Sequence, residues 1–111
     1  MRSTYIASDN TGTGGVALGG AQEDVELLKI VVGAPVASGN IYVFSITNPG
    51  GTSNANLVAK FTLPASLATG QLPFVLDLTD ADGEGFVIPQ GGNVMIDQTM
   101  QVTVGWQLKD R

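Results

Sequence analysis

The sequence contains no cysteine and no histidine. Without cysteine there is no disulfide framework, no thiolate nucleophile and no cysteine-bound zinc or iron–sulfur site. Without histidine there is no Ser-His-Asp triad, no imidazole metal ligand and no neutral-pH proton shuttle. Charged residues are also sparse at 14%, and the five basic ones are outnumbered by ten acidic ones, for a net charge of −5. The cations Arg2, Lys29, Lys60, Lys109 and Arg111 are scattered, so no basic stripe exists to neutralise a row of phosphates. No apolar run approaches the roughly 18 residues needed to span a bilayer. The opening residues Met1 to Ile6 lack the core of a signal peptide. Nucleic acid and membrane are therefore not expected partners, and the chain is expected to be made in the cytoplasm.

What is abundant is glycine, 15 of 111 residues, beside only five prolines. The length suits one domain, residues 1–111, with 1–20 as a glycine-rich N-terminal strand or arm. The hydrophobic pattern has period two almost throughout. Phe74, Leu76 and Leu78 share a face, with Asp77 and Thr79 opposite. Met100, Val102, Val104, Trp106 and Leu108 alternate with Gln101, Thr103, Gly105, Gln107 and Lys109. Leu57, Ala59, Phe61 and Leu63 form a third apolar face. Turns fall at 34–40, 48–51, 82–85 and 90–93, where glycine supplies positive φ. The short stretch Pro64–Ala68 offers at most one helical turn. Eight strands are expected, over 3–8, 24–33, 40–47, 56–63, 73–79, 85–89, 93–97 and 99–108. This makes an all-β domain, a single antiparallel β-sandwich of jelly-roll type.

Two of these strands are apolar on both faces under strict alternation. In 24–33, Glu26, Leu28, Ile30 and Val32 oppose Val25, Leu27, Lys29 and Val31. In 40–47, Tyr42, Phe44 and Ile46 oppose Ile41 and Val43. A two-layer sandwich leaves its outer faces polar, so something must cover these. The cover is either a loop of the same chain or another subunit. The second reading makes Val25, Leu27, Val31, Ile41 and Val43 contact residues. Tyr5 and Ile6 join them as a short apolar strand on a glycine tether, able to add to a sheet edge at home or in a neighbour.

Few constellations could carry chemistry. Asp77 to Gly85 is acidic and glycine-bearing, but the EF-hand frame fails, because Gly83 at position six puts Leu78 at position one and Pro89 at position twelve. It reads as a solvated acidic hairpin. Glu23, Asp24 and Glu26 are too close in sequence along a strand to act as a paired acid and base. Gly12 to Gly15 lacks the lysine and helix of a phosphate loop. Trp106 falls on an apolar face and reads as core. No catalytic residue, cofactor or metal is expected.

Four segments resemble the small β-sandwich accessory proteins of tailed-bacteriophage virions, the capsid decoration or cement proteins and related head–tail components. They are Glu26-Leu-Leu-Lys-Ile-Val-Val32, Gly39-Asn-Ile-Tyr-Val-Phe44, Gly85-Phe-Val-Ile-Pro-Gln-Gly-Gly92 and Met100-Gln-Val-Thr-Val-Gly-Trp106. The resemblance implies a non-enzymatic protein of the virion, a homo-oligomer, often a trimer, that binds a capsid or another virion protein and stabilises the shell. A tail, neck or fibre adaptor and a carbohydrate-binding module for host attachment are the alternatives.

Overall fold

The computed structural model describes residues 2–6, 15–34, 39–48, 55–63, 74–97 and 101–109. Nine strands occur among them: β1 Arg2–Ile6, β2 Val16–Leu18, β3 Asp24–Ala34, β4 Asn40–Phe44, β5 Leu57–Thr62, β6 Phe74–Asp77, β7 Phe86–Ile88, β8 Gly92–Ile96 and β9 Gln101–Lys109. They form two antiparallel sheets. The first runs β1-β9-β3-β6, with β7 also on β3, and the second runs β2-β8-β4-β5. The expected β-sandwich is present, and its strand order is that of a jelly roll. The chain crosses between sheets at nearly every connection, which leaves β4 and β5 as the one hairpin among the described strands. Strand β2 lies in the glycine-rich stretch where no strand was expected. The helical turn expected at 64–68 and residues 1 and 7–14 of the N-terminal arm lie outside the described residues.

The inner faces follow the alternation. Ile6, Val25, Leu27, Ile30, Val32, Ile88, Val102, Val104 and Trp106 come from the first sheet. Leu18, Ile41, Val43, Val94 and Ile96 come from the second. All but Trp106 are fully buried, and each buried aliphatic side chain is worth about 1.5–3 kcal/mol. Trp106 is buried by position rather than offered to a ligand. Its Nε1–H donates to Thr4 Oγ1 at 2.8 Å, and the Arg2 guanidinium lies 5.2 Å from the ring centre.

The structure corrects the two-faced reading of β3. Leu27 is paired with Trp106 and Lys29 with Gly105, so Leu28 is an extra residue in the ladder. This β-bulge shifts the side-chain phase by one. Before it, Val25 and Leu27 point inward; after it, Ile30 and Val32 do. The strand has one apolar inner face, and Glu26, Lys29 and Val31 lie on the outer one.

Strand β4 does carry apolar side chains on both faces. Its outer cover is the chain itself: Phe44 and Met95 are fully buried and Tyr42 nearly so, with Ile46 and Leu57 packed against them. No second subunit is needed there.

The acidic stretch is not a hairpin. β6 pairs with Lys29–Val32 and β7 with Val25–Leu27, both antiparallel to β3. They are two halves of one edge strand, and residues 78–85 leave it and return opposite the bulge. Leu78 N donates to the carbonyl of Leu28 at 3.0 Å, which ties the excursion to the bulged residue.

Candidate contact surface

Seven residues were expected at an interface, and the fold separates them. Ile6, Val25, Leu27, Ile41 and Val43 have no exposed surface and belong to the core. Inward alternation, reset by the bulge in β3, puts them there, so they form no outer surface in this fold. Tyr5 and Val31 remain on the outside, on one face of the first sheet.

That face has a regular build. Ladder pairing places Tyr5 beside Thr103, Thr103 beside Val31, and Val31 beside Val75. The four side chains form one row across β1, β9, β3 and β6. Tyr5 is 58% exposed and Val75 50%. The neighbouring row is Ser3, Gly105, Lys29 and Asp77. Beyond it, Gln107 and Val87 flank Glu26, and Lys109 flanks Asp24. Among the described residues four large apolar side chains are exposed, namely Tyr5, Val58, Val75 and Val87. Three of them stand on this face. Sequence reading missed Val75, although alternation against Phe74 and Leu76 places it outward.

The carboxylates that might have done chemistry are bound into the fold. Glu26 accepts from Gln107 Nε2 at 2.5 Å and from Gly85 N at 2.8 Å, with Lys109 Nζ 3.9 Å away. The Gln107 bond leads in holding its pKa below the ordinary value, ahead of the Gly85 amide; burial opposes them. Asp80 Oδ1 accepts the amides of Asp82 and Glu84, at 2.9 and 3.0 Å, and so folds its own turn. Glu23 accepts Gly20 N at 2.6 Å and Asp24 accepts Gln90 N at 3.1 Å. Among the described residues, no three acidic side chains converge in a way that could hold a metal ion.

One polar cluster was not foreseen. Asp97 accepts from Asn40 N and Nδ2, at 2.8 and 2.7 Å, and from Tyr42 Oη at 3.1 Å. Thr62 Oγ1 donates to Asn40 Oδ1 at 2.8 Å, and the Lys60 ammonium lies 5.6 Å from the Tyr42 ring centre. Burial pushes the Asp97 carboxyl up, but its hydrogen bonds outweigh that and hold it low. Burial, then Asp97, pushes the Tyr42 phenol up. The cluster clips β4 to the end of β8 and to β5. Its side chains satisfy one another, which marks it as structural.

No known protein family, curated protein or solved structure matches this chain.

Proposed function

We propose that this chain is a non-enzymatic structural protein of a tailed-phage virion, most specifically a capsid decoration or cement protein that stabilises the shell by contact. The observation that supports the reading is the outer face of the first sheet. It is a built, four-strand surface with an apolar row, and it carries three of the four large apolar side chains exposed among the described residues. Exposed apolar surface arranged in this way is the usual mark of a protein contact. The commitment of Glu26, Asp80 and Asp97 to backbone and side-chain hydrogen bonds agrees with a role that needs no acid or base. The sequence resemblance supplies the phage setting, and contact at many equivalent shell sites would let weak individual interfaces add up.

The direct test is co-sedimentation of the purified chain with isolated heads and with isolated tails. Saturable binding to heads, with heads then surviving higher temperature, is expected. Binding to tails alone would move the chain to an adaptor role. Binding to neither, together with glycan capture that an exposed aromatic-to-alanine change abolishes, would favour the carbohydrate-binding module.

A further inference from the structure

We propose that the outer face of the first sheet binds a second copy of itself, about a two-fold axis parallel to the strands and midway between β9 and β3. Such an axis keeps each row at its own level and reverses strand order. β1 then faces β6 of the copy, and β9 faces β3 of the copy.

The side chains at these positions are mutually suited. Tyr5 meets Val75 of the copy, and Thr103 meets Val31 of the copy, so the apolar row lies on itself. Lys29 meets Gly105, which has no side chain to obstruct it, and Asp77 meets the Ser3 hydroxyl. Farther along, Lys109 meets Asp24, while Glu26 is buried beneath its own Gln107, Gly85 and Lys109 and takes no part. No like charges oppose one another at any of these pairs. The face holds two cations and three carboxylates, Lys29 and Lys109 against Asp24, Glu26 and Asp77, and so is nearly neutral on a chain of net charge −5. The acidic excursion borders the face at its β6–β7 edge, where Asp80 lies close enough to act on Glu26, and the proposed axis sets the excursions of the two copies at opposite edges of the contact. An isologous contact demands this self-complementarity, and two sheets packed face to face with aligned strands supply its geometry.

Size sets the strength. Four strands about 4.8 Å apart span about 19 Å, and the seven residues from Thr103 to Lys109 span about 24 Å. The footprint is then about 450 Å² a copy, which places the contact in the weak, concentration-dependent class. This inference rests on the contact reading only for its premise that the face is used. The copy and the shell would compete for this face, so self-association and particle binding are measured separately, and either can fail while the other stands.

The test is sedimentation velocity over concentrations up to about 1 mM, the range in which a weak contact is populated. The wild type should pass from monomer towards dimer. Val75→Lys should weaken association by at least about tenfold, whereas Val58→Lys on the second sheet should leave it unchanged. The chain has no cysteine, so single-cysteine variants report the geometry. Facing Cα atoms would lie about 10 Å apart, beyond disulfide reach, so a short bis-maleimide is the probe. A mixture of Tyr5→Cys and Val75→Cys chains should crosslink well, and each alone poorly. A wild type that stays monomeric throughout would overturn the proposal. So would association that Val75→Lys does not weaken, or equal crosslinking by each variant alone.

Discussion

The carboxylate of Glu26 accepts the amide of Gly85 at 2.8 Å, joining residues 59 positions apart. The bond closes the acidic excursion against the first part of β3. Glu26 is 2% exposed on the outer face, and Gln107 and Lys109 complete its surroundings. Replacing it by alanine leaves the Gly85 donor and the Gln107 amide without their acceptor. Glu26→Ala should cost about 2 kcal/mol, or about 8 °C in melting temperature for a domain of this size. Thermal unfolding followed by circular dichroism reads this out.

The same group sets an acid limit. Glu26 and Asp97 are both held below ordinary carboxylate values in the folded protein. Each therefore contributes stability that is complete above its unfolded value and lost as pH falls through its lowered folded value. The wild type should lose stability progressively below about pH 4. Glu26→Gln should be less stable at pH 7 and show a shallower loss on acidification. Urea unfolding at a series of pH values measures both slopes.

Gly85 is fixed by space. A Cβ at this position would stand 2.1 Å from the Leu27 carbonyl oxygen, a backbone atom that moves only with the strand. Gly85→Ala should destabilise by about 3 kcal/mol or more. Gly33 meets nothing within 4 Å, and Gly33→Ala should change stability by less than about 0.5 kcal/mol. Equal effects of the two would contradict the close approach of β7 to β3.

The phase reset at Leu28 makes its own prediction. Leu27 and Ile30 point into the core, three residues apart, while Leu28 and Val31 do not. Leu27→Ala and Ile30→Ala should each cost about 3 kcal/mol. Leu28→Ala and Val31→Ala should each cost about 1 kcal/mol or less. Strict alternation would instead pair the large effects at Leu27 with Val31, or at Leu28 with Ile30.

The Asp97 clip predicts a coupling. Tyr42→Phe and Asp97→Ala each remove the same 3.1 Å hydrogen bond, so their combined effect should fall short of the sum by about 0.5–1.5 kcal/mol. The Tyr42 phenol, raised by burial and then by Asp97, should titrate nearer its ordinary value in Asp97→Asn. Absorbance at alkaline pH follows it.

Much of the architecture was legible in the sequence. The strict alternation around Trp106 and along Leu57–Leu63 placed β9 and β5 correctly, because each strand has one buried and one solvated face. The alternation failed at β3, where one inserted residue makes a normal strand look apolar on both sides. A bulge leaves no residue-type signature when the extra position is a leucine among apolar neighbours. The acidic excursion was misread for a related reason. Two short strands with a turn between them suggest a hairpin, and only the ladder to β3 reveals them as one interrupted strand. Five of the seven residues expected at a contact, Ile6, Val25, Leu27, Ile41 and Val43, point into the core. Tyr5 and Val31 lie on the outer face, and Val75 lies beside Val31 where the alternation against Phe74 and Leu76 places it. Asp97 gave no signal, since its partners Asn40 and Tyr42 are more than 50 residues away in the chain.

The central claim is that this chain acts by occupying a surface of a phage particle. Imaging of intact particles at a resolution that resolves a jelly roll tests it most directly. The expected result is this fold on the head exterior, at many symmetry-related positions, with Tyr5 and Val75 buried in a contact. Density for it on the tail alone, or particles that lack it altogether, would contradict the account.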